Sequence, residues 1–295
     1  MSAIVAEDLG KRYGRRWALR HSTLDVPEGR VVGLVGANGS GKSTLLHLVV
    51  GLLDPSEGGV SVFGGRPGAG AEHLSRVGFL AQDAPVYSSL SVAEHLRIGA
   101  RLNPRWDSAL ADGRIDRLGL DPAQRAGRLS GGQRAQLALT MAMGKRPDLL
   151  VLDEPVSSLD PLARREFLQD LMALVVERAT TVILSSHLLS DVERVCDHLV
   201  VLADGQLRLD GPVDELLASH KVLTGQRRDT STVPRDQQII RASHTERQTT
   251  LLVRTTQPIL DPRWVVSDIG LEDLVLAYMS SREAVQQREL AAVSS

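Results

Sequence analysis

The segment that most constrains the fold of this 295-residue chain is the glycine-rich stretch of residues 36–43, which reads GANGSGKS. It matches the spacing G-x-x-x-x-G-K-[ST], which is typical of a loop that wraps a phosphate group. The β-branched run Val31–Val35 precedes it and a helix-like apolar pattern follows, so the expected order is strand, loop, helix. Small residues leave backbone N–H groups free to surround an anion, and the helix directs its positive end toward that anion. We therefore expect Lys42 to bridge the β and γ oxygens of a nucleotide and Ser43 to ligate Mg²⁺.

The apolar run of residues 149–152 ends in the acidic pair Asp153 and Glu154. The carboxyl ends of parallel strands form the edge at which α/β proteins bind ligands, so both carboxylates are expected near the phosphate loop. Asp153 suits the coordination shell of Mg²⁺, whereas Glu154 suits a general base that accepts a proton from an attacking water. A merely solvated acidic strand end is the alternative, and the accompanying phosphate loop favours the functional interpretation.

A second candidate phosphate-facing segment consists of Leu129, Ser130, Gly131, Gly132 and Gln133. Ser130 can cap a helix whose first turn is rich in glycine, which leaves uncovered backbone N–H groups pointing at an anion. One nucleotide needs only one phosphate loop, so the alternative is a flexible turn before a helix over residues 133–143. The residues alone leave both interpretations open.

The order of apolar segments predicts an α/β fold with a P-loop NTPase core. Short apolar strands at residues 77–80, 149–152, 181–184 and 199–202 are mostly separated by segments of helical period, which predicts a mostly parallel sheet flanked by helices. Residues 1–30 predict a small N-terminal antiparallel β layer, and the pair Asp204 and Gly205 predicts a hairpin.

Changes in pattern divide the chain into a domain at residues 1–219 and an extension at residues 220–295. Within the first domain, the strand signal disappears at about residues 88–145, which predicts an all-helical insert broken at Pro104 and Gly119. Residues 220–249 are polar and lack a clear period, which favours a linker or irregular loops. A strand at residues 251–255 and a helix from residue 270 complete a small α+β extension whose role the sequence does not reveal.

Composition excludes several classes of protein. A formal charge of −2, a pI near 6.5 and 3% aromatic residues argue against a nucleic-acid binder, so no nucleic-acid partner is expected. The longest apolar run, residues 45–53, falls short of the roughly 20 residues that a spanning helix needs. The single cysteine, Cys196, and the absence of a secretory signal pattern indicate a cytosolic chain.

These motifs, in this order, resemble the ATP-binding cassette (ABC) family, whose signature LSGGQ lies between the phosphate loop and the acidic strand. The resemblance covers about residues 1–219. It extends to Tyr13, Gln82 and His187, and to Ser157, Ser158, Leu159 and Asp160 after the acidic pair. Val156 and Ser158 depart from the family's usual threonine and small residue, which affects interface detail more than chemistry.

The resemblance implies a role for each matching residue. Tyr13 would lie against adenine, Gln82 would sense Mg²⁺ and the attacking water, and His187 would hold the γ-phosphate. Catalysis would thus involve Lys42, Gln82, Glu154 and His187, and Mg²⁺ would be held by Ser43, Gln82 and Asp153. The residues implied in binding ATP are Tyr13, Gly36, Ala37, Asn38, Gly39, Ser40, Gly41, Lys42, Ser43, Thr44, Ser130, Gly131, Gly132, Gln133 and Asp160.

The resemblance also implies an assembly. Two cassettes, identical or different, would meet head to tail, so that Ser130 and Gly132 serve the partner's nucleotide and Asp160 lies across the dimer interface. A separate transmembrane permease would dock beside residues 83–90, which places the chain peripherally at the cytoplasmic face of the membrane. The expected function is ATP hydrolysis that powers transport, with export of the type associated with ABC-2-like systems favoured over import. Soluble ABC ATPases of DNA repair or translation are the alternative.

Overall fold

The computed structural model describes residues 1–83, 85–157, 159–230, 233–234 and 237–280, which form three sheets and their flanking helices. The strands are Ser2–Tyr13 (β1), Arg16–Pro27 (β2), Val31–Val35 (β3), Glu57–Val62 (β4), Val77–Leu80 (β5), Leu149–Asp153 (β6), Thr181–Ser185 (β7), His198–Ala203 (β8), Gln206–Pro212 (β9), His220–Gln226 (β10), Gln238–His244 (β11), Gln248–Arg254 (β12) and Val265–Asp268 (β13). The helices are Lys42–Val49 (α1), Gly70–Arg76 (α2), Val92–Leu102 (α3), Ser108–Arg117 (α4), Gly131–Gly144 (α5), Pro161–Arg178 (α6), Leu189–Val195 (α7), Val213–Ala218 (α8) and Leu271–Ser280 (α9).

The central sheet has the strand order β5-β6-β7-β3-β8-β9, in which β9 alone runs antiparallel to its neighbour β8. Its strands are buried on both faces: Val31 and Val35 pack with the helices α5, α6 and α7, whereas Val32 and Leu34 pack on the opposite side. The predicted mostly parallel sheet is confirmed. The predicted hairpin is confirmed too, because Asp204 and Gly205 both adopt positive φ between β8 and β9, the conformation of a tight hairpin turn.

The N-terminal layer is a three-stranded antiparallel sheet with the order β2-β1-β4, which confirms the predicted β layer. Its strands differ from the prediction in two ways. β1 and β2 each span 12 residues rather than several short segments, because register shifts absorb the breaks in the apolar pattern. β4 was not predicted, since its first residues, Glu57, Gly58 and Gly59, carry little of the β-branched or aromatic composition of a strand.

The segment between β5 and β6 contains α3, α4 and α5, in agreement with a helical insert. α3 ends at Leu102, just ahead of Pro104, and α4 ends at Arg117, just ahead of Gly119. The Trp106 ring packs against α3 and α5 where both carry glycine: a Cβ at Gly99 or Gly144 would lie 2.5–2.6 Å from it. The insert is therefore a closely packed helical unit with its own small core.

The prediction of an irregular linker at residues 220–249 is wrong. β10, β11, β12 and β13 form an antiparallel sheet in the order β11-β12-β10-β13, and two of these strands lie within residues 220–249. Residues 220–249 are polar in composition mainly because of β11. This edge strand has mostly solvent-exposed side chains, so its sequence lacks the apolar alternation of a half-buried strand. Residues 281–295 of the predicted extension lie outside the described residues.

The helix α9 joins this sheet to the rest of the chain. As predicted, Leu271, Leu274, Val275 and Tyr278 share its buried face, and they pack in the same core cluster as Leu199 and Leu216. Among the described helices, none combines the length and apolar composition needed to cross a lipid bilayer.

Candidate functional site

Three neighbouring strands of the central sheet end at the same edge, and several of the predicted site residues lie at these strand ends. β3 leads into the phosphate loop, β6 ends at Asp153 and is followed by Glu154, and β7 ends at Ser185, two residues before His187. The strands are adjacent in the order β6-β7-β3, so parallel pairing alone brings the three segments together. This edge is the position at which open α/β sheets bind ligands.

The phosphate loop has the close backbone packing that only glycine permits. A Cβ on Gly36 would lie 2.3 Å from the Leu202 carbonyl oxygen, and Gly41 has φ +108 immediately before α1. The Ser40 hydroxyl oxygen is buried and has no hydrogen-bond partner among the described residues. A cradle of this shape, with an unsatisfied hydroxyl at a helix N-terminus, fits a bound phosphate.

The Lys42 ammonium group is buried beneath this loop. It donates hydrogen bonds to the carbonyl oxygens of Gly36 (2.8 Å) and Ala37 (3.4 Å), and it lies 3.6 Å from a carboxylate oxygen of Glu154. Burying an ammonium group requires such partners, because the carbonyls and the carboxylate replace the water that is lost. Lys42 thereby links the phosphate loop to the acidic strand end.

A serine that the sequence analysis did not single out organises the acidic pair. The Ser185 hydroxyl donates to an Asp153 carboxylate oxygen at 2.6 Å and accepts from the Glu154 backbone N–H at 2.8 Å. Glu154 itself has φ +49, a left-handed conformation that is unfavourable for a residue with a Cβ and that turns its side chain away from that of Asp153. Sequence position alone carried no signal for Ser185 beyond its location at a strand end.

Glu154 also contacts His187, so the side chains of Lys42, Glu154 and His187 form a continuous series of polar contacts. The His187 Nδ1 atom lies 2.5 Å from Glu154 Oε2, on the side of the carboxylate away from Lys42. Nδ1 must carry a proton to donate to the carboxylate, and Nε2 can also donate only when the ring is doubly protonated. The predicted base and the predicted phosphate-binding histidine are therefore in direct contact.

Lys42 and Glu154 border a cavity of about 660 Å³, a volume typical of small-molecule sites, whereas Asp153, Ser185 and His187 are not among its wall residues. The predicted residues on its walls are Tyr13, Asn38, Gly39, Gly41, Lys42, Ser43, Thr44, Gln82 and Glu154. The start of β2 adds three residues that were not predicted, Arg16, Trp17 and Ala18. Tyr13 is half-exposed at this wall, and the Lys11 ammonium group lies over its ring, 5.7 Å from the centroid.

The second glycine-rich motif lies outside the walls of this cavity. The Ser130 hydroxyl accepts from the Gln133 N–H (3.2 Å) and the Gln133 side chain accepts from the Ser130 N–H (2.9 Å), so a capping box begins α5. Asp160 caps α6 by accepting from the N–H groups of Leu162 (3.0 Å) and Ala163 (2.9 Å), and it too is absent from the cavity walls. A single chain does not bring these residues to its own site; Ser158 lies outside the described residues.

The donor set fits Mg²⁺ bound together with a nucleotide. Among the described residues there is no cluster of three or more histidine, cysteine, aspartate or glutamate side chains that would hold an ion alone. Ser43, Gln82 and Asp153 offer a hydroxyl, an amide and a carboxylate oxygen, and Mg²⁺ is commonly held by one or two protein oxygens plus phosphate oxygens. The roles of these residues remain predictions.

An apolar groove of about 420 Å³ lies between the helical insert and the strand β5. Its described lining residues include Leu52, Phe79, Val86, Leu102 and Met141, and none of them is acidic. Tyr87 is 69% exposed at this groove, and its ring stacks on His95 at 6.2 Å between centroids. An exposed aromatic residue beside an apolar groove is typical of a protein-binding surface.

Comparison with known proteins places the chain among others of similar sequence and fold. The sequence model of the family described as "ABC transporter" matches residues 19–157. A bacitracin transport ATP-binding protein of Bacillus licheniformis is 32% identical over 220 residues, covering 73% of this chain and 72% of that protein. An aliphatic sulfonates import ATP-binding protein of Pseudomonas entomophila is 38% identical over 215 residues, covering 72% of this chain and 77% of that protein.

Solved structures give the same result. One described as the ATP-binding subunit of an ABC transporter superposes with a TM-score of 0.66 at 28% identity, covering 73% of this chain and 92% of that one. The ATP-binding cassette MJ0796, in a post-hydrolysis state bound to ADP and Pi, shares the fold with a TM-score of 0.64 at 23% identity, covering 71% and 98% of the two chains. The range matched by the family model contains the phosphate loop, Gln82, residues 130–133 and both strand-end acids.

Proposed function

Because this chain belongs to the ABC transporter family as an ATP-binding, ATP-hydrolysing subunit, we propose that it acts as one half of a head-to-tail cassette pair. One observation carries the proposal. Lys42 and Glu154 lie on the cavity walls and His187 contacts Glu154, whereas Ser130 and Asp160, at the starts of α5 and α6, are not among the wall residues. Helix starts that do not line their own cavity are available to the nucleotide of a second cassette.

Within one cavity, the chain's own residues bind ATP, orient the γ-phosphate and activate water. The phosphate loop and Lys42 hold the phosphates, Tyr13 stacks on the adenine, and Glu154 accepts the proton of the attacking water. Ser43, Gln82 and Asp153 would hold Mg²⁺, which would supply positive charge to offset the charge that develops on the phosphate oxygens. His187 orients Glu154 through their 2.5 Å contact and donates to the γ-phosphate when its ring is doubly protonated.

The γ-phosphate supplies the difference between the closed and open pairs. In the closed pair it joins the positive ends of two helices from different subunits, and after hydrolysis and phosphate release that contact is gone. ATP thus closes the pair, and hydrolysis opens it.

The ABC ATP-binding domain is assigned to residues 1–219, with a helical subdomain at about residues 88–145 and an extension at residues 220–295.

The Glu154→Gln variant tests this mechanism. Glutamine keeps the shape of the side chain but cannot accept the proton, so the variant should accumulate as a dimer on gel filtration with ATP and run as a monomer without it. Lys42→Ala, which removes the phosphate-binding ammonium, is the matched control and should stay monomeric under both conditions. A Glu154→Gln chain that stays monomeric with ATP, even alongside its membrane partner, contradicts the head-to-tail pair.

The apolar groove beside Tyr87 is the proposed docking site of a separate transmembrane permease, which holds the chain at the cytoplasmic face of the membrane. Its apolar walls suit a helix that presents an apolar face. Tyr87→Arg places a charge in this groove, far from Glu154 in the sequence, so transport should fail while basal ATP hydrolysis is retained. Equal loss of both activities would refute the assignment.

Export is the proposed direction of transport. The proposal comes from the resemblance of the extension and its helix α9 to those of export-type systems. The bacitracin relative is named for transport without a direction, while relatives named for the import of phosphonates and sulfonates provide the competing hypothesis. The membrane protein that co-purifies with the chain after mild detergent extraction tests both. A permease whose complex accepts substrate from a binding protein outside the cell would establish import instead.

A further inference from the structure

A fully buried arginine joins the two helices that begin at the partner-facing residues. Arg114 lies in α4 and its side chain is 1% exposed. Its guanidinium donates to Thr140 Oγ1 (3.3 Å) and Gln136 Oε1 (2.9 Å), both on α5, and to a carboxylate oxygen of Asp170 on α6. Burial lowers the pKa of Arg114, and the Asp170 carboxylate opposes that shift.

Burying a guanidinium is energetically costly unless well-oriented hydrogen bonds replace the hydration that it loses. A leucine or methionine would join α4 to its neighbours at lower cost, but apolar contacts are not directional. The three hydrogen bonds of Arg114, arranged in one plane, define the angle between α5 and α6 as well as their distance.

That angle matters at the other ends of the two helices. α5 begins after Ser130, ten residues before Thr140, and α6 begins after Asp160, ten residues before Asp170. At 1.5 Å per residue, the start of α6 lies about 15 Å from Asp170, and the start of α5 lies about 9 Å from Gln136 and about 15 Å from Thr140. Over a distance of about 15 Å, a tilt of about 4° would displace a helix start by about 1 Å, and a displacement of this size can cost about 100-fold in rate.

We propose that Arg114 is a positioning residue that aligns the starts of α5 and α6, so that Ser130 and Asp160 reach the partner's nucleotide as one rigid surface. The inference rests on the head-to-tail pair proposed above. Arg114 is not among the wall residues of its own chain's cavity, so its effect should appear only in the site that a second subunit completes.

Arg114→Met tests the proposal, since methionine keeps the apolar stem and removes all three hydrogen bonds. ATP hydrolysis should fall about 100-fold, while the Kd of the isolated chain for a fluorescent ATP analogue should change less than about 2-fold. Arg117→Met is the matched control: Arg117 contacts the same Asp170 at 3.2 Å but its side chain is 67% exposed, so its loss should leave hydrolysis within about 2-fold of wild type.

Mixing experiments separate positioning from a general loss of structure. Lys42→Ala cannot bind ATP but retains its α5 and α6 starts, so an equimolar mixture with Arg114→Met contains one complete site in each mixed dimer. Random pairing should restore about a quarter of the wild-type rate, because about half of the dimers are mixed. Ser130→Arg mixed with Lys42→Ala serves as the reference pair and should recover to the same extent.

Each outcome is decisive. Failure of the reference pair to recover contradicts the head-to-tail pair itself. Recovery of the reference pair without recovery of the Arg114→Met mixture overturns the positioning role. If Arg114→Met does not fold, Gln136→Met removes one of the three hydrogen bonds and should show a smaller loss of hydrolysis with the same recovery on mixing; a full wild-type rate in that variant would also overturn the role.

Discussion

Replacing Ser185 by alanine should disorganise the acidic pair without touching the nucleotide. The Ser185 hydroxyl is completely buried and makes two hydrogen bonds, one to the Asp153 carboxylate and one from the Glu154 N–H. A hydrogen bond to a charged group contributes about 1.5–3 kcal/mol and a neutral one about 0.5–1.5 kcal/mol. We therefore expect Ser185→Ala to lower the free energy of unfolding by about 2–4 kcal/mol.

The same change should slow hydrolysis, since Glu154 is held in an unfavourable backbone conformation that this hydrogen bond helps to maintain. A base displaced by up to about 1 Å should lower kcat by about 10- to 100-fold, with a much smaller change in KM because the phosphate loop is intact. Steady-state ATPase kinetics and urea unfolding measure the two effects separately.

Thr181→Val provides the matched control at the opposite end of the same strand. The Thr181 hydroxyl is buried and accepts from the Gly29 N–H at 2.9 Å, far from the site edge. Its loss should lower stability by about 1 kcal/mol and leave kcat unchanged. If Ser185→Ala retains the wild-type kcat, or if both variants slow hydrolysis equally, the reasoning about Ser185 is wrong.

Three further predictions follow from packing and burial. Gly36→Ala should abolish binding of a fluorescent ATP analogue, because its Cβ would lie 2.3 Å from the Leu202 carbonyl oxygen; binding at the wild-type Kd would contradict the loop geometry. Burial chiefly lowers the pKa of His220 below its ordinary 6.5, so protonation favours the unfolded chain and Tm should drop as pH falls below about 6.5, a dependence that His220→Gln should weaken. Cys196 is buried, and burial raises the pKa of its thiol, so a thiol reagent should label it only after denaturation; rapid labelling of the native chain would argue against this packing.

Several elements were predictable because their signals are local in the chain. The phosphate loop, the alternation of apolar strands and helices, and the Asp204-Gly205 turn each depend on fewer than about ten consecutive residues. Ser130 and Gln133 form a capping box, which likewise depends only on residues three apart. The strand β4 escaped prediction because two of its residues are glycines, and the extension sheet escaped because β11 carries no apolar alternation.

What the sequence by itself determined, then, is which segments carry the chemistry and in what order they occur, since loop spacing, periodicity and capping are set by neighbouring residues. The tertiary structure alone decided which side chains meet. Ser185 contacts an acidic pair some thirty residues earlier in the chain, and Arg114 in α4 donates a hydrogen bond to Asp170 in α6. An arginine in a helical pattern normally predicts solvent exposure, and only packing that supplies hydrogen-bond partners for the guanidinium can make its burial favourable. Such contacts depend on the angles at which helices and strands pack, and no short stretch of sequence specifies those angles.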